Sequence, residues 1–296
     1  MKVQYRIAIA VIAIVGAVVL FKALIGNSIV AIFDPAGPVA AQQKNLIELA
    51  VLLMLIIVIP VLTLFYTFAW KYRAGNPKAK YDPDQTHKPW KEIMLWFLPA
   101  IIVAVLAVIT WQTAHALDPY NPLQSANKPL TIEVVALQWK WLFIYPEQNI
   151  ATVNLIQFPE NTPIHFELTA DGPISSFWIP QLGSQIYSMA AMETQLNVMA
   201  STTGEFTGKN MEINGDGYSG MTFKALSTSQ ADFDAWVSSV KQSSPTLTTG
   251  AYTQLAMPSE NNPPSYYSSV QGDLFDTIMM NYMEPSSSQP MQGMQM

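Results

Sequence analysis

Three histidines (His87, His115 and His165) and no cysteine are the chain's whole supply of imidazole and thiol side chains across 296 residues. Without thiols there are no disulfide scaffolds, zinc fingers, iron–sulfur clusters, cysteine nucleophiles or thiolate-held copper. His115 ends an apolar run and His165 sits in an alternating segment. Neither has a second ligand at metal spacing, so both read as structural. Glu92 is more suggestive, because a carboxylate at the mouth of an apolar helix can collect protons from bulk water. It can equally be an interfacial group that snorkels beside Lys88 and Lys91. Trp139 and Trp141, one residue apart, read first as aromatic core. Met279, Met280, Met283, Met291, Met294 and Met296 place thioethers near the end of the chain. These could bind copper(I), or belong to a partner-facing helix followed by a loose tail.

The elements that must position these residues follow from composition. Half of the residues are hydrophobic and only 12% are charged, against about 25% in an ordinary soluble domain. Ten of the fifteen basic side chains lie at or before Lys91, and no arginine follows Arg73. After residue 117 five lysines face sixteen carboxylates, a net charge of −11. An oily, basic first third therefore precedes a polar, acidic remainder. With an overall charge of −6, no basic surface is available to bind nucleic acid.

Residues 46–70 form a 25-residue apolar stretch interrupted only by Glu48, enough for about 37 Å of helix. A second stretch, 93–115, has no acidic or basic residue before His115. Both are expected to span a membrane, with Trp70, Trp96 and Trp111 near the interfaces. A shorter run at 7–21 fits a signal peptide over 1–28 or an uncleaved first helix. Leu24-Ile-Gly-Asn27 resembles a lipoprotein box without the cysteine that would be acylated. The intervening loop, 71–92, is rich in Lys and Arg and is expected on the cytoplasmic side. Residues 29–45 and everything after 116 then lie outside, in the bacterial periplasm.

From residue 128 the pattern turns to alternation. Strands are predicted over 131–137, 139–145, 151–156, 164–168 and 221–225, separated by Asp171-Gly-Pro and Asn214-Gly-Asp-Gly turns. Many short strands predict an antiparallel sandwich or barrel over 116–245. Ser229 and Asp232 read as a capping box for an amphipathic helix bearing Phe233, Trp236, Val237 and Val240. Residues 246–296 read as an extension with a helix near 273–283, disordered from 285.

Local motifs then carry a resemblance. HKPWKEIMLWFLP at 87–99, QWKW at 138–141 and SFWIPQLG at 176–183 resemble, in order, three motifs of subunit II of the haem–copper respiratory oxidases. The resemblance covers about residues 34–245 and implies a membrane helical hairpin carrying an all-β periplasmic domain, a cupredoxin-like antiparallel β-sandwich. Copper-bearing members have a histidine where this chain has Ser175. They also have two cysteines, a glutamate, a histidine and a methionine in the loop matching 211–221. Here that loop has neither cysteine nor histidine, so Ser175, Gly215 and Ser219 are vacated copper-ligand positions. A dinuclear copper centre needs bridging thiolates.

PEQ at 146–148, LGSQIYSMA at 182–190 and YSGMTFKA at 218–225 are similar to the copper-less branch, the cytochrome bo-type ubiquinol oxidase subunit II family. That resemblance implies a structural subunit without a cofactor or catalytic residue of its own, in a proton-translocating ubiquinol oxidase. A partner subunit I would carry the haems and copper, beside other membrane subunits and lipid. Ubiquinol would be the donor, with no cytochrome c. It also implies that Glu92 lines a proton-channel entrance of the large subunit, and that Trp139 and Trp141 are inherited packing. A membrane-tethered copper chaperone and a β-sandwich binding module are the rival readings.

Overall fold

The computed structural model describes residues 31–77 and 89–283, with Gly16, Val19 and Leu20. The signal-peptide or first-helix expectation, His87, the Lys78, Lys80 and Lys88 part of the basic loop, and the tail from 284 lie outside the described residues.

Two compact units are present, and the first is helical. Helix α1 spans Pro38–Lys71 and α2 spans Pro89–Ala116. Both begin at a proline, whose missing N–H costs nothing in the first helical turn. Pro60 and Pro99 sit inside them. Thr63 Oγ1 donates to Ile59 O at 2.7 Å, and Thr113 Oγ1 to Ile109 O at 2.8 Å, so polar side chains are satisfied within their own helix. Both helices are long and apolar enough to cross a membrane, and many of their apolar side chains stay exposed: Phe65 is 62% exposed and Trp96 73%. Helix α1 ends where Arg73 lies over the Trp70 ring, 4.4 Å from its centroid, and the chain turns at Gly75. It begins eight residues before the apolar stretch because its first turn, with Val39 and Ala40 buried, belongs to the second unit.

That unit is a two-sheet sandwich. Its strands are β1 (Leu130–Leu137), β2 (Lys140–Tyr145), β3 (Ile150–Val153), β4 (Leu155–Pro159), β5 (Ile164–Ala170), β6 (Ser175–Trp178), β7 (Ile186–Ser188), β8 (Thr194–Val198), β9 (Gly204–Asn210) and β10 (Thr222–Thr228). After them come α3 (Gln230–Ser243), β11 (Thr246–Leu247), α4 (Thr249–Ala256), β12 (Ser265–Tyr267), β13 (Ser269–Val270) and α5 (Leu274–Met283). The six-stranded sheet runs β12-β3-β2-β1-β5-β8, and the five-stranded sheet runs β4-β10-β9-β6-β7. Most ladders are antiparallel. The β1–β5 and β4–β10 pairs are parallel, because the chain crosses between sheets before returning to each.

One crossing divides the single strand predicted over 151–156. Asn154 adopts a left-handed backbone (φ 55°) that sends β3 into one sheet and β4 into the other. Its Oδ1 accepts from Trp141 N at 2.9 Å, so the corner is fixed by a local side chain. Between the sheets lie Trp141, Phe143, Phe166, Phe177 and Phe223, with the Phe177 and Phe223 rings stacked at 5.0 Å. Helix α3, capped by Ser229 Oγ accepting from Asp232 N, buries Phe233 and Val240 against this core.

The extension after α3 is folded as far as it is described. It covers the other face of the six-stranded sheet: Leu247, Tyr252, Leu274, Phe275 and Ile278 pack on Val135, Leu137, Leu142 and Ile144. Every residue of β2 is therefore buried, on one face by the other sheet and on the other by the extension.

Candidate functional site

The loop between β9 and β10 and the start of β6 bring together two of the three positions matched to copper ligands. Ser175 opens β6 and is fully buried. Its Oγ accepts from Asn214 Nδ2 at 2.9 Å and donates to Pro173 O at 3.3 Å. Asn214 Nδ2 also donates to Ile174 O at 3.0 Å. Asn210, at the end of β9, makes four bonds. Its Oδ1 accepts from Ser176 N (2.8 Å) and Glu212 N (3.0 Å), and its Nδ2 donates to Glu212 O (2.9 Å) and Asn214 Oδ1 (3.2 Å). Three neutral side chains thus tie the loop to the sheet.

Gly215 follows directly, at φ 136°, and a side chain there would meet the Trp139 ring at 2.8 Å. Gly217 is as tight, with Trp139 at 2.6 Å and Glu260 at 2.7 Å from a Cβ position. Trp139 is itself left-handed at φ 57°, an unusual conformation for a bulky residue. Its ring is wedged against the loop, and its Nε1 is buried without a hydrogen-bond partner. Ser219 lies apart from this network, exposed in a 3-10 turn. Trp141 is in the core between the sheets, edge-on to Phe177 at 5.2 Å.

These residues do not fit a dinuclear copper centre. A hydroxyl, two carboxamides and two glycines supply no soft donor. Among the described residues no group of three or more His, Asp or Glu side chains is placed to hold a metal ion. His165 pairs with Asn197 Oδ1 at 2.9 Å and Glu167 at 3.3 Å, on the six-stranded sheet. His115 bonds Trp111 O, one helical turn back, at 2.8 Å. Glu92 occupies the exposed first turn of α2, where negative charge favours the helix dipole. It lines a shallow groove with Ile93, Trp96 and Phe97. Met280 and Met283 are exposed on α5, while Met279 is half-buried.

Two further ties fasten the extension to the sandwich, and neither was visible in the sequence. Lys140 is buried, and its Nζ donates to Met257 O at 2.8 Å and to Ser259 Oγ. Desolvation lowers its pKa from the ordinary lysine value. Asp171 accepts from the hydroxyls of Tyr252 and, at 2.7 Å, Tyr282. Burial and then this carboxylate raise the Tyr252 phenol. Asp171 and then burial push Tyr282 up to about 12. In the sequence Asp171 belongs to a turn and Lys140 to a predicted strand. Their partners lie 81 or more residues away.

Two apolar helices of membrane-spanning length and a two-sheet β-sandwich define a class: a membrane-type helical pair with a folded β domain, whose β9–β10 loop is held by amides and offers no thiolate. Residues 241–286 match the COX Aromatic Rich Motif family, which spans the end of α3 and the extension. The chain is 51% identical over 259 residues to cytochrome bo(3) ubiquinol oxidase subunit 2 of Pseudomonas aeruginosa, covering 88% of this chain and 78% of that one. It is 49% identical over 253 residues to ubiquinol oxidase subunit 2 of Acetobacter aceti, covering 85% and 82%. The periplasmic domain of cytochrome oxidase subunit II from Bradyrhizobium japonicum aligns with 40% of this chain and 96% of its own, at 22% identity and a TM-score of 0.38. The chain belongs to the ubiquinol oxidase subunit 2 family.

Proposed function

We propose that this chain is subunit II of a proton-translocating ubiquinol oxidase in an aerobic respiratory chain, and that it supports catalysis without performing it. The observation that carries the reading is 51% identity along 88% of the chain, membrane helices included. The Ser175–Asn210–Asn214 network supports the structural role, since it fills with amides the place where a copper carrier needs thiolates. The partner subunit I would carry the haems and copper, oxidise ubiquinol and reduce oxygen to water. Electrons would then arrive within the membrane, and no cytochrome c would dock.

In this reading α1 and α2 cross the bacterial inner membrane as a multi-pass anchor, lying against lipid and the neighbouring subunits. The sandwich stands in the periplasm. The basic loop between the helices stays in the cytoplasm, as its Lys and Arg content favours. Glu92, in the first turn of α2, would then face the cytoplasmic side and pass protons towards the large subunit. The copper-chaperone and binding-module rivals have no use for identity that extends through both helices. Purification of the tagged chain in mild detergent tests the proposal: a haem-containing complex that consumes oxygen with ubiquinol is expected. A haem-free chain would refute it.

A further inference from the structure

The six-stranded sheet places two carboxylates where a folded domain ordinarily avoids them. Glu133 of β1 and Glu167 of β5 are direct partners across a parallel ladder, so their side chains leave the same face. Like charges directly opposite one another destabilise a sheet. This is also the face that α5 covers. Glu133 lines a cavity of about 190 Å3 between the sheet and the start of α5, together with Ile144, Gly272, Asp273, Leu274 and Asp276.

The charged groups acting on the pair come from three other places. Asp273 and Asp276 face it from α5 and the residue before it. Glu193 faces it from the turn before β8, and His165 from β5 itself, with Nε2 3.3 Å from Glu167 Oε1. Four of these five neighbours and partners are carboxylates, counting each glutamate against the other, and His165 alone can bring positive charge. Burial first, then Glu167, Asp276, Asp273 and Glu193, pushes Glu133 up to about 7. Burial and Glu193 raise Glu167, and His165 pulls it the other way. Against this repulsion α5 is held by Leu274, Phe275 and Ile278 in the outer core, and by Tyr282 on Asp171 towards its far end.

We propose that the Glu133–Glu167 pair is a proton-operated latch for the last helix of the aromatic-rich motif. With a proton on the pair, α5 rests on the sheet. Without it, the two glutamates repel each other and Asp273 and Asp276, and the amino-terminal end of α5 lifts. The sign follows from linkage: the docked state holds the proton more tightly than the lifted state. Docking is therefore strongest at low pH and weakens as pH rises from the ordinary carboxylate value of 4.5 through about 7. The helix that closes the outer domain thereby responds to the acidity of the compartment around it. This inference does not depend on the oxidase reading.

Hydrogen exchange on the full chain solubilised in mild detergent, with or without copurifying subunits, tests the latch. Rates are corrected for the intrinsic dependence on pH, and α3 serves as an internal control. Part of the pair's repulsion persists when α5 lifts, and Glu133 is partly solvated. One pKa unit is therefore assigned to docking, which gives about a tenfold rise in opening of 274–283 between pH 5 and pH 8. In Glu133→Gln, opening should stay low and flat across that range. Asp276→Asn, on the exposed side of α5, should reduce the rise severalfold without disturbing the sheet. An opening that ignores pH, or a rise that survives both substitutions unchanged, would overturn the proposal.

Discussion

Asn210→Ala should loosen the loop over 211–221 far more than Asn214→Ala does. Asn210 is 6% exposed and makes four hydrogen bonds, but these are not equal in worth. Ser176 is fully buried, so losing Asn210 Oδ1 leaves its N–H without partner or water, at about 1–3 kcal/mol. Glu212 is half-exposed, so water can replace much of what its backbone groups lose. Asn214 keeps its bonds to Ile174 O and Ser175 Oγ. With about 1 kcal/mol for the small void, the total is about 2–4 kcal/mol. At 1.4 kcal/mol per factor of ten, local opening should rise by about 30-fold to several hundred-fold. Asn214→Ala offers a contrast, because it strands no fully buried backbone donor and should cost about 1 kcal/mol. Hydrogen exchange of 211–221 in the solubilised complex reads both variants. Equal loosening in the two, or none in Asn210→Ala, would refute the view that Asn210 holds this loop.

Trp141→Ala removes a fully buried ring packed edge-on against the stacked Phe177 and Phe223, and should cost about 3–5 kcal/mol. Its readout is loss of the assembled subunit at growth temperature, and normal assembly would contradict it. Gly217→Val forces a side chain against Trp139 and Glu260, so tryptophan emission should shift to the red as Trp139 is displaced. Asp171→Asn weakens the hold on two phenols at once, and the accessibility of 271–283 to protease should rise with the sandwich core unchanged. Glu92→Ala should slow ubiquinol-driven turnover in the assembled complex; turnover and proton pumping at normal rates would remove the proton-entrance role from Glu92.

The membrane helices and most strands were legible in the sequence, for a simple reason. Lipid demands unbroken apolar runs, and a half-buried strand demands alternation, so 46–70, 93–115 and 164–168 declare themselves. Strand β2 was read as well, over 139–145, but its second buried face was not, because that face is created by an extension that begins a hundred residues later. The left-handed backbone at Asn154 stayed hidden because it depends on which sheet the chain enters next, and that at Trp139 because the two-residue turn between β1 and β2 carries neither glycine nor asparagine. The motifs singled out Ser175 and Gly215 in separate segments, and the fold brings the first, at the start of β6, against Asn214 beside the second. Asn210 and Asn214, which hold the loop over 211–221, read only as ordinary polar residues at a turn. The ties of Lys140 and Asp171 were illegible for the same reason as that face of β2: their partners are far away in sequence.

The donor preference of the purified complex tests the central claim most directly. Oxygen consumption is measured with ubiquinol and, separately, with reduced cytochrome c, on a preparation isolated through this chain. The account expects rapid consumption with ubiquinol and none above background with cytochrome c. Consumption driven by cytochrome c, or a preparation inert to ubiquinol, would contradict it.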